Sequence, residues 1–180
     1  HLFLGKPSAD FYIDDKGNAE YSEWYYGPQK RFLTSLIAEL SNYNRIYDRA
    51  SFIASYQRID EDRISRPFKD SNRSVREEDV SVYALNIDMA KTLDSNKQLY
   101  FGTELTYNNV LSNAFAQNIY NDDKITESTR YPDNGSNMFT AAVYGNININ
   151  FNRFKLISGL RYSYTLLTAN FSSSDFIQLP

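Results

Sequence analysis

Side chains that could do chemistry are scarce in this sequence. His1 is the only histidine and stands at one end of the sequence, and there is no cysteine. A histidine-based triad, a thiolate metal site and a disulfide therefore have no residues to form them. The sequence gives no pair of carboxylates whose spacing predicts an acid–base pair. We expect no enzymatic activity, no catalytic residue, no cofactor and no metal site.

Cations are concentrated in the segment 60–78, where they alternate with acids. The cations are Arg63, Arg66, Lys69, Arg73 and Arg76, and the acids are Asp60, Glu61, Asp62, Asp70, Glu77 and Glu78. We interpret the segment as a long loop. Arg63, Arg66, Arg73 and Arg76 could face an anionic ligand. The neighbouring acids favour a self-neutralising network instead. The net charge of −3 gives no sign of a nucleic-acid partner.

The elements that would position these groups are β-strands. Residues 143–164, VYGNININFNRFKLISGLRYSY, alternate apolar and polar residues on both sides of NFNR at 150–153, which predicts an antiparallel hairpin. Four earlier segments resemble strands, and no run of 18 apolar residues predicts a transmembrane helix. The four are roughly Arg31–Leu40, Arg49–Ile59, Asp79–Leu93 and Gln98–Asn109.

The connections alternate in length. They are short around 41–48, 94–97 and 150–153, and long over 60–78 and 110–137. Outer-membrane barrels have short periplasmic turns and long extracellular loops, so the pattern favours a barrel over a soluble sandwich. The 15 Tyr and 12 Phe would suit two membrane-interface belts, or they simply cap strand ends. We place Trp24, Tyr25, Tyr26, Tyr107 and Tyr164 towards the long loops, and Tyr47, Phe151 and Phe154 beside the short turns.

Two acids share the polar face of neighbouring strands. If the 94–97 turn is tight, Asp88 lies nearly opposite Glu104, and like charges that face each other on a sheet repel. A cation should therefore lie between them, or the pKa of one acid should rise. Arg161 has the same orientation but is two strands away.

Several segments resemble the barrel of TonB-dependent receptors. They are AEYSEWYYGPQKRFL at 19–33, EDRISRPF at 61–68, VYALNIDMAK at 82–91 and SGLRYSY at 158–164. STRYPDNG at 128–135 resembles a loop common in one branch of the family, and WYYGPQKR with GLRYSY is the most specific part. The similarity covers about residues 19–171.

The resemblance implies a 22-stranded antiparallel barrel in the outer membrane, plugged by an N-terminal domain. Such receptors import scarce nutrients (ferric siderophores, haem, cobalamin or glycans) through a periplasm-spanning energy coupler that pulls on the plug. In part of the family a surface lipoprotein covers the extracellular opening of the barrel as a lid. Barrel carboxylates commonly hold plug arginines, so we hypothesise that Glu104 and, secondarily, Asp88 contact the plug. A solvated carboxylate or a pair within the barrel explains these residues equally well.

The sequence departs from the family in extent. No plug, energy-coupling box or terminal aromatic is found, and six strands are fewer than the usual minimum of eight. We therefore expect residues 1–180 to be a partial barrel domain with six to eight of the 22 strands. Its outer face contacts lipid, and its edge strands pair with strands of the barrel that this sequence does not include. One alternative is a small eight-stranded adhesin or anchor, which needs two more strands from FYIDD and EYSEWYY in residues 1–28. The other is a soluble β-sandwich binding module.

Overall fold

The computed structural model describes residues 20–172, which form one antiparallel sheet of eight strands. The FYIDD segment proposed as an extra strand lies outside the described residues. Within residues 20–172, no helix is long and apolar enough to cross a membrane. The strands are β1 Tyr21–Tyr26, β2 Lys30–Ser41, β3 Arg49–Pro67, β4 Asn72–Asp94, β5 Lys97–Asn118, β6 Lys124–Thr126, β7 Ser136–Asn150 and β8 Lys155–Ala169.

The eight strands make six lateral positions in the sheet. β1 and β2 both pair with β3, and β6 and β7 both pair with β5, so each of these two positions holds an interrupted strand. The first interruption falls at Gly27 and Pro28, where proline has no N–H to donate to a ladder. A Cβ on Gly27 would lie 2.6 Å from Cβ of Asp62, so glycine permits the close approach of β3. The six predicted strands are confirmed as these six positions.

The loop predicted over residues 60–78 is wrong. β3 and β4 remain paired from Arg49 with Ala90 as far as Ser65 with Ser74, and residues 68–71 alone connect the two strands. β5 also extends to Asn118, nine residues beyond the predicted end at Asn109. A strand that meets water on both faces has no reason to alternate apolar and polar residues. Its charged sequence therefore looked like a loop.

The two faces of the sheet differ over most of its length. Phe52, Ile87, Thr103 and Val143 form one row across β3, β4, β5 and β7 on the face that we call exterior. The adjacent row on the opposite, interior face holds Ser51, Asp88, Gly102 and Tyr144. Within residues 20–172 the buried apolar side chains are Ala50, Val75, Ala114 and Ala142. No second layer covers the described sheet, so the apolar exterior face lacks the inward packing of a sandwich.

Three short connections lie at one end of the sheet, which we call the turn end. They are residues 42–48, 95–96 and 151–154, and the opposite end, which carries the β3–β4 turn, is called the extended end. Asp48 fastens the first connection to β4, because it accepts hydrogen bonds from Lys91 Nζ (2.6 Å) and from the Thr92 N–H (2.7 Å). The hydrogen bond from Lys91 is the main reason that the pKa of Asp48 lies below its usual range.

Candidate functional site

An aromatic row marks the border of the apolar exterior face. Tyr56, Tyr83 and Tyr107 lie side by side, with ring centroids 4.9 and 6.3 Å apart. Phe32 extends the row, 6.2 Å from Tyr56. Towards the extended end the next exterior residues on β3, β4 and β5 are polar: Arg58, Ser81 and Asn109. Aromatic rings at a boundary between apolar and polar surface are typical of a membrane interface.

The apolar band below this row has the depth of a membrane. On β5 it runs from Leu99 to Tyr107. At about 3.3 Å per residue this is about 26 Å along the strand, or about 20 Å for a strand tilted by about 40°. Outer-membrane barrels have an apolar band about 25 Å tall. This half of the sheet therefore suits a bilayer.

The predicted aromatic belts are right in part. Tyr107 belongs to the border row, and Phe151 and Phe154 stack at the turn end with ring centroids 4.4 Å apart. Trp24 and Tyr26 do not belong to the border row. They lie on β1, beside the part of β3 that extends beyond it, on the interior face.

Four side chains on the interior face form a connected chain, which we call the interior network. Its members are Asp88, Tyr144, Arg161 and Glu104, on β4, β7, β8 and β5. The Tyr144 hydroxyl donates a hydrogen bond to Asp88. The Arg161 guanidinium lies 5.6 Å from the Tyr144 ring centroid and donates from Nη2 to Glu104 Oε2 at 2.9 Å. The network therefore joins four adjacent strands through side chains.

Gly102 allows Tyr144 to reach Asp88. In the register, Asp88 faces Gly102 and Gly102 faces Tyr144, so the phenol must cross β5 to reach the acid. A Cβ on Gly102 would lie 2.5 Å from the Tyr144 hydroxyl oxygen and 2.4 Å from the Ile87 carbonyl oxygen. No side chain fits there without a shift of its neighbours.

The structure changes the expected position of Asp88 relative to Glu104. Glu104 faces Asn86, so Asp88 is its diagonal neighbour rather than its direct partner. A cation is present beside one of the acids rather than between the two, because Arg161 spans β7 to pair with Glu104. Within residues 20–172, the structure gives Asp88 no ion-pair partner. Two carboxylates and one guanidinium leave the interior network with a net charge of −1. Contact with a plug remains a prediction.

The four arginines predicted on a ligand-facing loop lie on strands, and the sheet separates them into two pairs. Arg66 and Arg73 share Glu23 of β1, with N–O distances of 3.2 and 2.7 Å. The hydrogen bond from Arg73 is the main reason that the pKa of Glu23 is lowered. Arg63 and Arg76 face each other on the interior face. A single cationic patch does not form, and their contact with a ligand remains a prediction.

The predicted self-neutralising network does not form as ion pairs within the segment 60–78: in residues 20–172 the ion pairs of its arginines, Arg66 and Arg73, both go to Glu23 of β1. Glu23 lies 43 residues before Arg66 and could not be paired with it from the charge pattern of 60–78. Glu78, which belongs to the predicted set, is buried under the interior face, and this burial raises its pKa. Nearby Arg63 and Arg130 act in the opposite direction.

The segment 127–135 folds back over the interior face at the extended end. The Glu127 N–H donates to the Ala114 carbonyl at 3.0 Å, and the Ser74 hydroxyl donates to the Glu127 carboxylate. The predicted PDNG turn is confirmed: the Gly135 N–H donates to the Pro132 carbonyl at 3.1 Å. Gly135 has a φ of 85°, which suits glycine. Part of this end is therefore covered by the chain itself.

An antiparallel sheet that is apolar outside, polar inside and bordered by tyrosines is the wall of a membrane β-barrel. A sequence profile of the Outer membrane protein beta-barrel family matches residues 34–178, and the chain belongs to that family. Its location is accordingly the outer membrane, and the soluble sandwich is wrong. No curated protein matches the chain.

Proposed function

We propose that residues 1–180 form part of the barrel wall of a TonB-dependent outer-membrane transporter. Its cargo would be a scarce nutrient: a ferric siderophore, haem, cobalamin or a glycan. The observation that carries the proposal is the open sheet, which has six lateral positions and two edges without a neighbouring strand in the described residues. The coarser class, an outer-membrane barrel, rests on the family match.

The two edges support a barrel larger than the described sheet. β2 pairs with β3 alone and β8 with β7 alone, so the outer backbone groups of both strands face an apolar bilayer. Each backbone polar group left without a hydrogen bond in lipid costs several kcal/mol. Bacterial barrels need at least about eight strands to close. Further strands must therefore pair with β2 and β8.

The interior network supports a wide lumen that contains a partner. Its side chains run along the wall across Gly102, and the lumen side of β7 and β8 also carries Ala142 and Gly159. The net charge of −1 would suit an arginine of a plug domain. We propose Asp88 and Glu104 as the plug contacts, with Asp88 the freer of the two. The plug would in turn bind the periplasm-spanning energy coupler, and a surface lipoprotein is a further candidate partner.

The deciding experiment is nutrient uptake in the native bacterium. Deleting the gene and deleting the energy coupler should each abolish growth on the same limiting nutrient. Asp88→Asn with Glu104→Gln should reduce uptake at an unchanged amount of barrel, whereas Glu39→Gln on β2, an interior acid outside the network, should not. Uptake that survives gene deletion, or that ignores the coupler, would contradict the proposal.

Gel mobility tests barrel size independently. In unheated and heated SDS samples of native envelopes, a heat-modifiable band much larger than 20.9 kDa is expected. A heat-modifiable band near 20.9 kDa would instead indicate a small autonomous barrel, such as an adhesin or anchor.

A further inference from the structure

Two aromatic rings on β1 face the interior at the extended end. Trp24 and Tyr26 meet edge to face, with ring centroids 5.5 Å apart. Tyr26 is 43% exposed, so it is accessible to a ligand from solvent. The Arg63 guanidinium lies 5.0 Å from the Tyr26 ring centroid and donates to the Tyr26 hydroxyl at 3.1 Å. The pair therefore combines a partly exposed aromatic surface with a guanidinium that contacts Tyr26.

The charges around this pair balance. Its neighbours on the interior face and in the covering segment carry three guanidiniums and three carboxylates: Arg63, Arg76, Arg130, Glu61, Glu78 and Glu127. The other two arginines of the region, Arg66 and Arg73, are held by Glu23 on the exterior face. A site for an anionic complex would need an excess of positive charge, which this surface lacks.

We propose that Trp24, Tyr26 and Arg63 bind neutral sugar rings, so that the imported nutrient is a glycan. This inference rests on the transport function proposed above. The C–H face of a sugar packs on an aromatic ring, and its hydroxyls bond to guanidinium and carboxylate groups held nearby. A few well-placed polar groups around an apolar platform are typical of small-molecule sites. β1 then supplies the contact surface at the mouth of the barrel.

The test uses the whole protein purified in detergent. Neutral and anionic oligosaccharides on a microarray, and a ferric tricatecholate in solution, are the probes. We expect a neutral oligosaccharide to bind and Tyr26→Ala to weaken that binding about tenfold or more, as for a contact worth about 1.4 kcal/mol or more. Tyr25→Ala is the matched control, because Tyr25 is the adjacent residue on the opposite face and is 45% exposed. It should bind like the parent.

Fluorescence locates the ligand. Trp24 is the only tryptophan in the sequence, so the difference between the parent and Trp24→Phe reports on this site. A neutral oligosaccharide should change that difference signal. The inference is overturned if only the ferric complex or anionic sugars bind, or if Tyr26→Ala and Tyr25→Ala behave alike.

The inference and the transport proposal can fail separately. If coupler-dependent uptake persists in Tyr26→Ala cells for every glycan tested, the glycan site is wrong and the transporter stands. If the oligosaccharide binds and Tyr26→Ala releases it, but deleting the gene leaves uptake intact, the binding site stands and the transport function fails.

Discussion

Between the turn end and the Tyr56–Tyr83–Tyr107 row, the sheet is apolar outside and polar inside, whereas beyond that row both faces carry charges. The same two strands, β3 and β4, run through both halves with an unbroken register from Arg49 to Ser65. In the first half Phe52 faces Ile87, and in the second Asp60 faces Asp79 and Asp62 faces Glu77. Alternation therefore reports the medium around a strand, and the strand itself continues where the medium changes.

The largest effect should follow from placing a charge on the apolar half. Leu105→Arg puts a guanidinium on the exterior face within the band, where lipid cannot solvate it. We expect a loss of about 2 kcal/mol in unfolding free energy, measured by denaturant titration in liposomes. Thr106→Arg, the adjacent residue on the interior face, should change stability little. An equal loss for both variants would contradict the assignment of the two faces.

A smaller loss is expected from Gly102→Ala. The added Cβ would collide with the Ile87 carbonyl and the Tyr144 hydroxyl, so we expect about 1.5 kcal/mol of destabilisation in the same titration. Tyr144→Ala removes one of the two collisions. The double variant should therefore lose less stability than the sum of the two single changes. Strict additivity would mean that Tyr144 does not cross β5.

In the charged half, Glu23→Gln should weaken the attachment of β1 to β3 and β4. The carboxylate joins Arg66 and Arg73, and its removal should cost about 1 kcal/mol, seen as faster hydrogen exchange of the β1 amides. Because the pKa of Glu23 is lowered in the fold, its contribution is complete above its ordinary pKa of about 4.3 and is lost as pH falls through the lowered value. The difference in exchange between the variant and the parent should therefore disappear as the pH falls below the lowered pKa of Glu23.

Glu78→Gln should have the smallest effect and the opposite sign. Burial raises the pKa of Glu78, so its charged form is disfavoured in the fold, and the penalty develops as pH rises through the ordinary and then the raised pKa. At neutral pH the variant should slow hydrogen exchange of β4 amides near residue 78. The corresponding rise in the free energy of local opening should be less than about 1 kcal/mol. Faster exchange would show that Arg63 and Arg130 outweigh burial.

Much of the apolar half could be predicted from the sequence. The alternation of 143–164 located β7 and β8, and the short turns at 94–97 and 150–153 were found at the same end. These features depend on neighbours in sequence and on a single medium for each face. The polar face of β5 and β7 was also found, because it is the complement of the apolar one.

The charged half and the interior network depend on contacts that no local pattern encodes. Glu23 meets Arg73 across 50 residues, and Arg161 meets Glu104 across 57. Tyr144 lies on the polar side of the alternation in 143–164, but its reach across β5 depends on Gly102 lying directly between it and Asp88 in the register. A lone aromatic residue on a polar face, with glycine on the neighbouring strand, is the signal that could have indicated it.

The central claim is that the two faces of the sheet meet lipid and water, respectively. Since the sequence has no cysteine, single cysteines can be placed at each position from 139 to 149 in the native barrel and treated with a water-soluble maleimide. We expect positions 140, 144, 146 and 148 to be labelled, and positions 139, 141, 143, 145, 147 and 149 to be protected. Position 142 is excluded from the comparison because Ala142 is buried on the interior face. Uniform labelling, or labelling of the odd positions instead, would contradict the membrane wall.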